Sequence, residues 1–217
     1  MFLCPVTTAS ILQYRSSGWS GVIQLLKRVF DYKRITSKIW YIPTILLMPI
    51  VTVLSYILMR ILDLPLPAPT FKVLPALILF FVFFIAALGE ELGWSGYVTE
   101  PMQSRSSALL TGIILGLIWA VWHAIPLLQV GRSVSWIGWW CLGTVAYRII
   151  LIWLYNKTGK SVFATAIFHT MINLCWQLFP NQGSHYDPRV TSLIATFFAI
   201  VIVLAYSPMM LSRRNSA

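Results

Sequence analysis

Two adjacent carboxylates, Glu90 and Glu91, interrupt one of the most apolar stretches of a 217-residue chain that is 58% hydrophobic and 10% charged. A charge at bilayer depth costs about 2.5–3.5 kcal/mol on insertion scales, so carboxylates kept there point to function. Helical neighbours diverge by about 100°, so Glu90 and Glu91 cannot face one spot; one is free to work while the other supports it. A poorly solvated Glu beside a like charge suits general-base activation of water. The plain alternative puts both in a wet loop after a membrane span.

Downstream, Trp119 and His123 are four residues apart, as are His169 and Asn173, so each pair shares a helix face. An imidazole and a carboxamide in a low-dielectric site are two donors suited to a developing oxyanion, where losing one costs about 2.7–4 kcal/mol. Ordinary interhelical hydrogen bonding, worth about 0.6 kcal/mol on average, is the other reading for either pair. Zinc is a competing use: Glu90, His123 and His169 supply the three ligands that a catalytic site with one open position takes. No H-E-x-x-H motif is present and Asn is a poor zinc ligand. Spacing leaves both versions open, with the metal-free one preferred because it gives Asn173 a task.

The elements that must position these groups are membrane helices. Apolar runs of about 20 residues are expected to span at Ile39–Leu62, from Phe71 or Val73 into the Glu-Glu stretch, and at Ser107–Leu128, Val134–Tyr155, Ser161–Phe179 and Thr191–Leu211. The expected fold is an all-α polytopic bundle of six spans over residues 39–217. Residues 1–38 form a basic segment whose stretch Trp19–Ile35 mixes Val22, Leu25, Leu26 and Phe30 with Lys27, Arg28, Lys33 and Arg34. That pattern fits an amphipathic helix lying on the membrane surface or a solvated helix packed on the bundle. No secretory leader is evident at the start.

Six spans put both termini on one side. Eleven Lys and Arg, among them Arg15, Lys27, Arg105, Lys157, Arg213 and Arg214, fall on that side against Arg60, Lys72, Arg132 and Arg189 on the other. The bias makes the termini cytoplasmic, in a protein of the cell membrane. Arg148 stays inside the fourth span, where snorkelling is the first expectation and pairing with a buried carboxylate the second. Trp40, Trp136, Trp139 and Trp140 lie near span ends as interface anchors. His185 falls in an external loop as a solvated histidine. The net charge of +10 follows membrane orientation, and no nucleic-acid partner is expected. Cys4, Cys141 and Cys175 form no C-x-x-C pair, which argues against a disulfide framework or a cysteine zinc site.

With these residues in view, the chain resembles the CPBP family of intramembrane proteases, the CAAX proteases and bacteriocin-processing enzymes. The family pattern has Glu-Glu-x-x-x-Arg, then an aromatic residue before a His, then His-x-x-x-Asn, each on its own helix. Here these are similar to Glu90-Glu91, Trp119 with His123, and His169 with Asn173, over about residues 71–179. The resemblance implies an endopeptidase acting on a membrane-associated peptide or protein. Glu90 would activate water, His123 hold it, His169 and Asn173 stabilise the oxyanion, and Glu91 support the site. Ser95 departs from the pattern by replacing the motif Arg. That leaves Glu91 neutral or paired elsewhere, for instance with Arg148, and predicts that Ser95→Arg supplies a missing cation. A non-catalytic immunity or binding protein on the same scaffold is the first alternative, and a proton-coupled transporter the second.

Overall fold

The computed structural model describes residues 3–212, and among these it is helical with no strand. Helix α1 (Leu3–Lys27) bends at Gly18, whose φ of 63° is open to glycine at no steric expense. A 3₁₀ segment, Arg28–Arg34, follows. Then come α2 (Tyr41–Ile61) and α3 (Val73–Glu91). The latter continues without a break through a π-helical stretch, Leu92–Val98, into α4 (Thr99–Gln103). The chain closes with α5 (Ala108–Gln129), α6 (Val134–Lys157), α7 (Val162–Leu178), α8 (Pro188–Ala205) and α9 (Ser207–Leu211).

Among the described residues, five helical stretches are long and apolar enough to cross a membrane: Lys38–Ile61, Val73–Gln103, Ala108–Gln129, Val134–Lys157 and Pro188–Ala205. The expected span at 161–179 is the exception. Its helix, α7, has 17 residues, about 26 Å at 1.5 Å per residue against a hydrocarbon core of about 30 Å. Its position explains the shortness: Ala164–Thr170 are all buried, so α7 is clad in protein. It still runs from one end of the bundle to the other. Its first turn bonds to Asp31, and Phe179 just beyond its last packs on Tyr56 of α2. The final expected span is also divided, because Pro208 cannot continue α8 and a new short helix starts around it.

Helix α6 is the centre of the bundle, with Ile150–Tyr155 all 5% exposed or less. Small residues let its neighbours come close. A Cβ on Gly116 would stand 2.8 Å from Val145 Cα, and one on Gly143 would collide with Ser192 Oγ. Close backbone approach of this kind replaces the hydrophobic drive that lipid does not supply. Outward faces stay apolar, as with Leu77, Phe81 and Ile85 on α3.

The amphipathic helix expected at 19–35 is placed differently. It begins at Leu3 and ends at Lys27, and it docks on the bundle through Pro5, Ala9, Gly21, Val22 and Leu25 while Ile11, Trp19, Ile23 and Leu26 face outward. The helix stops there because the next residues turn inward. Arg28 and Asp31 bond to the other helices. Arg213 and Arg214, counted with the cytoplasmic charges, lie outside the described residues.

Candidate active site

The two carboxylates fall where α3 widens into its π-helical stretch. Glu91 is fully buried and Glu90 is 7% exposed, so neither lies in a wet loop. The change of pitch is visible in Thr99, whose hydroxyl donates to the Trp94 carbonyl five residues back at 2.8 Å. Such π segments inside α-helices recur at functional sites. Glu90 Oε2 accepts a hydrogen bond of 3.1 Å from Trp119 Nε1. Together with His123 and Asn173, Glu90 lines a cavity of about 310 Å³ whose walls include Trp140, Thr144, Tyr147, Trp176, Gln177 and Tyr186. His123 Nδ1 lies 3.0 Å from the Trp119 carbonyl oxygen. A carbonyl only accepts, so Nδ1 carries the proton and Nε2 of the neutral ring is left as acceptor.

Glu91 points to a different set of partners. Arg148 Nη1 donates to both of its oxygens at 3.1 and 3.0 Å, His169 Nδ1 lies 3.0 Å from Oε1, and Ser95 Oγ donates to Oε2. Arg148 is itself fully buried, with its guanidinium carbon 4.3 Å from the centre of the Trp119 ring. A desolvated cation–π contact of this kind contributes about 2 kcal/mol. Among the described residues, no acceptor reaches its Nε or Nη2. Trp119 therefore joins the two halves of the site. Its face meets Arg148, its N–H meets Glu90, its carbonyl meets His123, and its ring lies edge-on to His169 at 4.9 Å.

Several expectations change here. Arg148 does not snorkel, because a carboxylate reaches it from α3 at its own depth. The cation lost at position 95 is thus supplied from α6, and Ser95 adds a hydrogen bond to the same oxygen that Arg148 holds. His169 is absent from the cavity wall that Glu90, His123 and Asn173 share, since its Nδ1–H is used on Glu91. Trp140 is part of the cavity wall against His123, with ring centres 5.4 Å apart, and Trp40 packs on Trp153. His185 remains exposed in its loop, bonded to Ser184 at 2.8 Å. Among the described residues no three His, Cys, Asp or Glu side chains come together as a metal-holding group.

The cavity wall at Tyr186 was not foreseen. That side chain hydrogen-bonds Tyr147 and Thr191, and burial pushes its phenol up to about 12 despite those bonds. A second polar cluster at the opposite end of the bundle was also missed. Glu100 accepts from Tyr155 at 2.9 Å and from Lys160 at 2.6 Å, beside Arg28 and Asp31. The signal was scarcity: the chain has six acids, and one that is drawn into an apolar protein must be matched.

Helices of membrane length around a buried carboxylate, imidazole and guanidinium cluster define an integral membrane protein with a built polar site. Residues 72–175, which hold every motif residue, match the family described as type II CAAX prenyl endopeptidase, Rce1-like. Over 139 residues the chain is 31% identical to CAAX prenyl protease 2 of Methanococcus maripaludis, covering 60% of this chain and 50% of that protein. It is 25% identical over 154 residues to lysostaphin resistance protein A of Staphylococcus haemolyticus, covering 69% of this chain and 39% of the relative. The chain spans half or less of the length of these curated relatives. Its similarity to the CPBP family holds across the helices that build the site.

Proposed function

We propose that this chain is a glutamate-dependent intramembrane endopeptidase. The observation that carries the reading is the common cavity of Glu90, His123 and Asn173, with Glu90 held in place by Trp119. A water bound between Glu90 and His123 Nε2 gives a proton to the Glu90 carboxylate as its oxygen attacks the scissile carbonyl carbon. The carbonyl oxygen, now an oxyanion, accepts from the Asn173 carboxamide. Glu90 then returns the proton to the departing nitrogen, the C–N bond breaks, and a carboxylic acid, which keeps the second water proton, and an amine leave. His169, one turn from Asn173, keeps its Nδ1 on Glu91 and so fixes the helix that presents the carboxamide. Glu91, Arg148 and Ser95 form the charge-balanced wall that fixes Trp119 and His169. In this reading Glu90 is the base that activates the water.

The substrate class suggested by the name of the methanogen relative is the CAAX terminus of a membrane-associated polypeptide, and the aromatic walls at Trp140, Tyr147, Trp176 and Tyr186 suit apolar side chains. The termini are assigned to the cytoplasm, in the cell membrane, on the Lys and Arg bias. A non-catalytic scaffold drew its case from the missing motif Arg, and Arg148 favours the active reading instead. The test is cleavage of prenylated and unprenylated CAAX peptides by the purified protein in lipid nanodiscs. Glu90→Gln is expected to lower turnover by about 10²–10⁴, the contribution of a general base. Full activity in Glu90→Gln, or no cleavage by the wild type, overturns the proposal.

A further inference from the structure

The N-terminal segment lies outside the family-matched stretch, yet its contacts converge on the elements that carry the site. Arg28 reaches three of them from a position 14% exposed. Its Nη1 donates to the Gly96 carbonyl at 2.6 Å, and its Nη2 donates to Tyr155 Oη at 2.9 Å and to the Lys160 carbonyl at 2.6 Å. The first of these bonds has a local cause. Pro101 has no N–H to offer the carbonyl five residues back, and it is Arg28 that donates to that carbonyl, inside the π-helical stretch that follows Glu90 and Glu91.

Asp31 does the same for α7. Its Oδ2 accepts from Val162 N at 3.0 Å, and its Oδ1 accepts from Phe163 N at 3.0 Å and Ser161 Oγ at 2.8 Å. It thereby satisfies two of the orphan amides at the start of the helix that carries His169 and Asn173. Van der Waals fit agrees with the polar contacts. A Cβ on Gly93 would fall 2.6 Å from Pro5 Cβ and 2.7 Å from the Pro5 carbonyl oxygen, and one on Gly96 would meet Leu25 Cδ1 at 3.2 Å. The segment is therefore fitted against the π-helical stretch at both of its glycines.

We propose that residues 3–34 are a positioning brace for the site, in which Arg28 sets the π-helical stretch behind Glu90 and Glu91, and Asp31 sets the helix of His169 and Asn173. The consequence for cleavage rests on the proposed function; the consequence for local structure does not. Hydrogen exchange and cleavage are measured together on the full chain in nanodiscs, for wild type, Arg28→Gln, Asp31→Ala and Gly93→Ala. Arg28→Gln and Gly93→Ala are expected to raise exchange across residues 92–98 about tenfold, and Asp31→Ala to do so at residues 162–165, with residues 145–155 unchanged. In the same variants kcat falls about tenfold with KM held, and in a further variant, Arg28→Ala, guanidinium added below denaturing concentration restores it. Unchanged exchange, exchange raised equally through residues 145–155, or an undiminished kcat overturns the brace. A wild type that cleaves neither peptide overturns the proposed function, and the exchange pattern then decides the brace by itself.

Discussion

Replacing Arg148 with Met strands Glu91 in a fully buried site. The pair is fully buried on both sides, and Arg148 makes two of the four hydrogen bonds that Glu91 receives, the others coming from His169 and Ser95. Removing one member of such a pair costs about 3–5 kcal/mol, most of it the expense of leaving the other charge unmatched. The lost contact with the Trp119 face adds up to about 2 kcal/mol. At roughly 2–4 °C per kcal/mol for a chain of this size, a total of about 3–7 kcal/mol lowers the melting temperature by about 6–28 °C. Glu91→Gln in the Arg148→Met background removes the stranded charge while keeping acceptor and shape, and it should recover at least about half of the loss. The assay is thermal unfolding in detergent across the four members of the cycle. A loss below about 1 kcal/mol in Arg148→Met, or strictly additive single and double variants, would falsify the claim that Arg148 is the counter-ion of Glu91.

Three further outcomes follow from the same geometry. Trp119→Phe keeps a ring under Arg148 but removes the N–H that holds Glu90, so turnover should drop at least about tenfold, the worth of a hydrogen bond to a charged group, with little change in melting temperature; unaltered kinetics would remove Trp119 from the site. Ser95→Arg, which the bare motif suggests as a gain, should instead destabilise the protein, because a second guanidinium would enter a buried site that already holds one. Paired with Arg148→Met, it should restore stability, and a stabilised Ser95→Arg single variant would contradict the pairing. Reporter fusions after Lys157 and Arg132 should fall on the cytoplasmic and opposite sides respectively, and the reverse result would invert the assignment of the termini.

Polar residues inside apolar runs stand out in one dimension, and this is why Glu90, Glu91, His123, His169 and Asn173 were legible along with an all-helical membrane fold. Their partners were open, with Arg148 one candidate for Glu91, because partnership depends on how each helix is rotated about its axis. Depth along α6 placed Arg148 in the membrane, but only the packing of α6 beside α3 turns it to Glu91 rather than toward the interface. The same holds for His169, which lies one turn from Asn173 yet faces Glu91 while Asn173 faces the cavity. Helix α7 passed the composition test for a span but is short, since protein rather than lipid surrounds it. Residues 28–34 read as a continuation of an amphipathic helix, because local periodicity carries no trace of Arg28 and Asp31 bonding to groups about 70 to 130 positions away.

The π-helical stretch at 92–98 makes the spacing between the carboxylates and Glu100 a matter of angle as much as length. An i→i+5 turn holds one residue more than the α-helix would place there, and each residue of an α-helix turns the chain by about 100°. Deleting a single residue between Leu92 and Val98 would remove that surplus and let the stretch close into plain α-helix, and Glu100 with the residues beyond it would keep nearly the same face of the helix. What would change is local: the side chains inside the turn, and the Gly96 carbonyl that now takes its donor from Arg28. A relative of equal motif content but one residue shorter here would therefore still carry its acid on the same face of α4. In this part of the chain, an alignment gap would be recorded as a missing residue and absorbed by the protein as a narrower turn.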